Sequence, residues 1–146
     1  MFSKTAEYAL RAVCFMARDE SVTWKTEEIS TATQIPSAYV RKILQSLHRS
    51  EIISLHRGGG GGVRLARPRS EIRVFDVVDG VDPLQRFHAC PLGLVEHGIE
   101  LCPMHSVLDE ALARLEEVMR ETTIEDLLDP QARKRRRCQF PMKHDH

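Results

Sequence analysis

The sequence predicts a mainly α fold: a winged helix-turn-helix domain with a long C-terminal dimerisation helix. Three observations carry this expectation. Helix-period segments open the chain at 4–18, 26–33 and 37–49. Two short strand-like runs then flank five consecutive glycines, Gly58 to Gly62. A second apolar stripe recurs at helical spacing after Pro103.

Each element has its own warrant. In the first helix Leu10, Val13, Cys14 and Ala17 share one face, with Ala6 a turn earlier. Cys14 belongs to that stripe and reads as a small buried hydrophobe. Thr26 is the expected cap of the second helix, before Glu27, Glu28 and Ile29. Pro36 disfavours helix at Ile35 and separates the second helix from the third. Val40, Ile43, Leu44 and Leu47 make the inner face of the third helix, and Tyr39, Arg41, Lys42, Gln45 and Arg49 its outer face. Ile52–His56 and Val63–Ala66 read as strands, so the glycine run between them is a hairpin tip rather than a linker. Arg57, Arg64 and Arg67 flank the tip; glycines permit close approach, and the arginines suggest phosphate as the surface approached. Residues 73–79 read as a strand or short helix closing the module, and 83–102 as irregular. Pro103 suits the first position of a helix. Met104, Val107, Leu108, Ala111, Leu112, Leu115, Val118 and Met119 form its stripe. Such a stripe either packs on its own domain or on the same helix of a second subunit; we expect the second, with Val107, Leu108, Leu112 and Leu115 at the interface.

The formal net charge is +0, but its distribution is uneven. Residues 1–70 carry 11 basic and 6 acidic side chains, residues 71–129 carry 4 and 14, and residues 130–146 carry 6 and 1. A basic first half with a basic outer face on its third helix points to DNA. Domain boundaries follow: 1–82 for the DNA-binding module, 83–102 for a cysteine/histidine loop, 103–129 for the dimerisation helix, 130–146 for a basic, disordered tail containing Cys138. No stretch has the length and apolarity of a membrane span, and the start lacks a secretory signal, so the expected compartment is the cytoplasm. No Ser/His/Asp set stands in motif context, and five glycines without a following Lys-Ser/Thr are not a phosphate cradle; the chain is not expected to be an enzyme.

The stretch "HACPLGLVEHGIELCPMH", residues 88–105, holds two of the chain's 4 cysteines and three of its 7 histidines. Both cysteines precede proline. A cysteine capping a helix that begins with proline faces free backbone N–H groups and the positive end of the helix dipole. That setting stabilises thiolate, the form that binds metal. His105 lies one turn into the helix and can point back to Cys102. Four readings stay open: an iron–sulfur site, a redox switch through a Cys90–Cys102 disulfide, zinc, or ordinary packing.

"AEYALRAVCFMA", "IPSAYVRKILQSL", "HRGGGGGVRLARP" and "FDVVDGVD" together resemble the IscR/NsrR-like (Rrf-two) family of bacterial iron–sulfur and nitric-oxide-sensing regulators. The resemblance covers nearly the whole chain except the tail. It implies a homodimer of winged domains joined by a long antiparallel helix, bound to two-fold double-stranded DNA. It implies that Tyr39, Arg41 and Lys42 meet the major groove and that Arg57 enters the minor groove; Gln45 and Arg64 complete the expected DNA set. The family's Cys-x5-Cys-x5-Cys-x2-His pattern falls on Cys90, Glu96, Cys102 and His105, so the middle cysteine is missing, with His97 beside its position. In some relatives a carboxylate from the partner's first helix completes the cluster; Glu7 matches it, unless Arg11 pairs with Glu7 instead. The implied cofactor is an iron–sulfur cluster, [2Fe–2S] favoured, held by Cys90 and Cys102 with His105 or His97 and Glu7; zinc or no cofactor are the alternatives. The implied function is that of a transcriptional repressor governed by the cluster or by redox state.

Overall fold

The computed structural model describes residues 2–91 and 101–129. Helices α1 (Lys4–Met16), α2 (Thr26–Thr33) and α3 (Ser37–Arg49) are followed by β1 (Ile53–His56), β2 (Gly62–Leu65) and α4 (Val74–Asp79). The long α5 (Pro103–Glu121) and the short α6 (Ile124–Leu128) complete the chain. This is the mainly helical architecture with a small two-stranded sheet that the periodicities predict. No described helix is long and apolar enough to cross a membrane.

Local chemistry sets the helix ends. Ser3 caps α1 by accepting from the Ala6 N–H at 3.1 Å. At α2 the cap is Lys25 rather than Thr26, which is already helical; the Lys25 N–H donates to the Glu28 carboxylate at 2.7 Å. Gln34 ends α2 in the left-handed region at φ 57°, turning the chain so that Ile35 drops into the core before Pro36. Ile29, Ile35, Val40, Ile43, Leu47 and Ile52 close over Ala9, Val13 and Cys14 of α1. Cys14 is fully buried there, as its place on the stripe implies.

The wing is an antiparallel pair in the register Ile53↔Leu65, Ser54↔Arg64, Leu55↔Val63, His56↔Gly62. Its five glycines are not equivalent. Gly58 has φ +120°, a conformation only glycine adopts without strain, and the Gly61 N–H closes the turn onto the Gly58 carbonyl at 2.9 Å. A Cβ on Gly58, Gly59 or Gly60 would meet nothing within 4 Å. A Cβ on Gly62 would collide with the Trp24 carbonyl. That approach lets Trp24 exchange backbone hydrogen bonds with Val63 at 2.7 and 2.8 Å, pinning the wing root to the segment before α2.

The region after the wing corrects part of the sequence reading. Residues 74–79 take the helical one of the two expected forms, whereas the segment 103–129 is two helices rather than one. Thr122 leaves helical geometry, Thr123 caps α6 by accepting from the Asp126 N–H at 3.0 Å, and Ile124 is fully buried against the first core. The Val74 N–H donates to the Thr122 carbonyl and the Ile124 N–H to the Ile72 carbonyl, both at 2.9 Å, so the α5–α6 junction is stitched to the start of α4. A second core forms around Ala6, Val74, Val78 and Met119, with Leu115 packed against it. The apolar stripe of α5 is therefore divided. Its C-terminal part docks on α1 and α4, while Met104, Val107, Leu108 and Val118 remain 58, 66, 45 and 58 % exposed.

Candidate functional site

The outer face of α3 presents Tyr39, Arg41, Lys42, Gln45 and Arg49, all exposed. Tyr39 is steadied by an edge-on contact with Tyr8 of α1, the ring centroids 6.0 Å apart. Between α3 and the wing lies a groove of about 460 Å³. Leu44, Leu55 and Val63 give it an apolar floor, and Arg41, Gln45, His48 and Arg49 stand along α3. His48 is fixed at the rim by a 3.2 Å contact of its Nδ1 with the Ile53 carbonyl.

Strand alternation decides which wing residues face this groove. Leu55 and Val63, opposite each other, line it; Ser54 and Arg64, one residue on, share the other face of the hairpin. Arg64 lies instead beside Glu20, Arg67 and Pro68. The structure thus brings Arg41 and Gln45 together, adds His48, Arg49 and Leu55, and sets Arg64 apart. Arg57 is exposed at the end of β1, beside the glycine tip. Two neighbouring arginines are committed to the fold: Arg67 reaches Asp76 at 3.5 Å, and Arg69 pairs with Glu20 and Glu125 and donates to the Ala17 carbonyl. Leu55, 51 % exposed, belongs to this face and is not among the DNA residues expected from the sequence.

The second site lies at the root of α5. Cys102 is the N-cap and Pro103 the first helical residue, as the Cys-Pro step implies. His105 is one turn on, and its Nδ1 stands 3.1 Å from Cys102 Sγ and 3.9 Å from Cys90 Sγ. These three donor atoms lie within 4.8 Å of one another. Cys90 and His105 are each only 7 % exposed, and Cys102 is half-buried.

A clamp positions the segment that delivers Cys90. Asp109, one turn beyond His105, accepts from Arg86 Nε and Nη2, both at 2.6 Å, and from the Phe87 N–H at 3.0 Å. The Arg86 guanidinium, with help from the Phe87 N–H, holds the Asp109 carboxyl down to about 2; the same contact raises Arg86. Phe87 lies against the His105 ring at a centroid distance of 5.1 Å. Arg86 also reaches Glu116, which binds Arg120, and Arg120 lies 3.4 Å over the Phe75 ring of α4. A continuous path of ion pairs along α5 thus joins the cysteine–histidine site to α4. No local sequence pattern announces it, because Arg86 and Asp109 are 23 residues apart.

Glu7 pairs with Arg11 at 2.9 Å on α1, and Arg11 also donates to the Thr33 carbonyl. His97, and Glu96 at the missing-cysteine position, lie outside the described residues, as do Cys138 and the tail 130–146. Of the expected interface residues, Val107 and Leu108 are exposed, Leu112 is half-buried, and Leu115 packs on its own subunit.

A family model described as "Rrf2: Iron-dependent Transcriptional regulator" matches residues 2–130. Protein aau3 of Rhizobium meliloti is 34% identical over 134 residues, covering 86% of this chain and 83% of that protein. The transcriptional regulator NsrR of Geobacillus kaustophilus is 32% identical over 132 residues, covering 86% and 88%. Among solved structures, T. potens IscR superposes with a TM-score of 0.74 at 19% identity, covering 99% of this chain and 93% of that one. CymR of B. subtilis, the global cysteine regulator, superposes with a TM-score of 0.71 at 17% identity, covering 87% and 95%.

Proposed function

The chain belongs to the Rrf2 family of transcriptional regulators, which are not enzymes, and from that premise we propose a DNA-binding repressor whose operator affinity is set at Cys90, Cys102 and His105. The convergence of those three side chains carries the reading. DNA is read by Tyr39, Arg41, Lys42 and Gln45 in the major groove and by Arg57 of the wing in the minor groove. Two copies, joined along the exposed Met104–Leu108 part of α5, present two such heads to a two-fold site.

An iron–sulfur cluster is the group that the resemblance implies. The donor chemistry suits iron, since two thiolates and an imidazole are accepted ligands of its clusters. A [2Fe–2S] cluster takes four ligands, of which the described residues supply three. Glu7 of a second subunit is the proposed fourth, on condition that it releases Arg11. When bound, the group supplies a charge and redox state that respond to oxidants or iron supply. The chain's own part is mechanical: Asp109 and Arg86 link the ligand-bearing segment to α5, and Glu116, Arg120 and Phe75 carry the link to α4. A reversible disulfide is a second reading, favoured by two sulfurs within 4.8 Å of each other.

The test is a gel-shift titration of anaerobically purified protein on a duplex selected from a random library, with iron and sulfide assayed on the same sample. Binding that differs between loaded and chelator-stripped protein, and loses that difference in Cys90→Ala and Cys102→Ala, supports the reading. Equal affinity in both states would remove control by this site and leave DNA binding standing.

A further inference from the structure

We infer that Leu55 of the wing packs on a deoxyribose of the DNA strand that runs between α3 and the wing, and that this contact selects deoxyribose over ribose at that step of the backbone. The inference deepens the proposed function and rests on its placement of α3 in the major groove and of Arg57 in the minor groove.

Duplex geometry is the first ground. Neighbouring major and minor grooves are separated by one sugar–phosphate strand. A protein with a helix in one and a wing tip in the next straddles that strand. The groove of about 460 Å³ between α3 and the wing lies where the strand must pass. Its α3 wall suits phosphates: Arg41 and Arg49 are exposed and make no ion pair among the described residues, and His48 stands with them.

The floor is the second ground. Leu44 and Val63 are buried there, at 5 and 4 % exposed, whereas Leu55 is 51 % exposed. The other exposed large hydrophobics among the described residues are Tyr39, which lies against Tyr8, and Met104, Val107, Leu108 and Val118 of α5. Leu55 is thus the exposed large aliphatic side chain of the DNA-binding module. Such a side chain gains nothing against a phosphate. The apolar surfaces of DNA are the thymine methyl and the C–H faces of its sugars. The methyl lies at the base edges, towards the first turns of α3 with Tyr39, Arg41 and Lys42. Leu55 instead faces the later turns, beside Gln45, His48 and Arg49. The sugar is the surface met from that side. A ribose there would set a 2′-hydroxyl, both donor and acceptor, against a side chain that can pair with neither.

The experiment uses the full chain and a duplex selected from a random library, read by fluorescence anisotropy. Leu55→Ala should weaken binding about 5- to 10-fold per subunit, the expected loss for part of a half-covered leucine. Its salt slope and far-ultraviolet spectrum should match the wild type, because no phosphate contact and no core contact is lost. Arg49→Ala should instead make the slope shallower, and Leu55→Met should keep most of the affinity. Single ribonucleotides are then placed one at a time along each strand. At one step of each half-site the ribonucleotide should weaken the wild type several-fold and leave Leu55→Ala unaffected. Wild-type affinity in Leu55→Ala, a shallower slope in that variant, or the same ribonucleotide losses in both proteins would overturn the inference. A loss on replacing a thymine by deoxyuridine that Leu55→Ala abolishes would place the side chain on a thymine methyl and overturn it too. In all these outcomes the wild type still prefers the selected duplex, and the DNA-reading proposal stands. Equal binding of selected and scrambled duplexes by the wild type would overturn both.

Discussion

Arg57 is the sharpest probe of the proposed DNA-reading face. It directly follows β1, is exposed, and makes no ion pair or hydrogen bond among the described residues. Arg57→Ala should therefore change folding stability by no more than about 0.5 kcal/mol. On DNA the outcome depends on what the guanidinium touches. A base contact in the minor groove is worth about 1–3 kcal/mol, which is about 5- to 150-fold in Kd. Each lost phosphate contact instead lowers the salt slope by about 0.9, so a dimer losing one per subunit should fall by about 2 in log–log slope. Fluorescence anisotropy with a library-selected duplex and a scrambled one, each from about 50 to 200 mM salt, separates the two. Loss confined to the selected duplex means base reading; equal loss on both, with a shallower slope, means backbone anchoring. Unchanged affinity and slope on both duplexes would refute the placement of the wing on DNA.

Val107→Asp with Leu108→Asp should give monomers that keep the wild-type helical far-ultraviolet spectrum, because both side chains are exposed in the single subunit; sedimentation showing an intact dimer would locate the interface elsewhere. Leu115 is unsuitable for that experiment, since it packs on Met119, Val74 and Val78 of its own subunit. Gly62→Ala should destabilise the wing root by about 1–3 kcal/mol through collision with the Trp24 carbonyl, whereas Gly59→Ala, with nothing within 4 Å, should leave the thermal melt unchanged; equal melts for the two would contradict the Trp24–Val63 pairing. Asp109 is held at about 2 by Arg86, so its clamp is fully present above the usual carboxylate value of 3.8 and fades as pH falls through about 2. Carbon-13 NMR of the Asp109 carboxyl should give a midpoint near the lower value, and a midpoint near 3.8 would mean that the clamp is absent in solution.

The helix boundaries at 26–33 and 37–49 were legible because period and punctuation coincide there, with Pro36 between them. The Cys-Pro step at 102–103 likewise announced a capped helix, and the spacing of Cys102 and His105 placed both on its first turn. The expected single span 103–129 did not separate the helix that Thr123 and Asp126 cap. Periodicity shows that a face is apolar and says nothing of what covers it. Met119 and Leu115 turned to α1 and α4, while Val107 and Leu108, on the same stripe, stayed in solvent. Arg64 reads as the equal of Arg57 until register puts it on the far face of the hairpin. Nothing near Arg86 in the chain marks it as the residue that grips Asp109 and carries Cys90 to His105. The sequence by itself determined the elements and their chemistry, because propensity, capping and spacing act within a turn or two. Only the tertiary structure decided which donors meet, which arginines are spent on the fold and which part of α5 stays free, because those outcomes depend on contacts between segments distant along the chain.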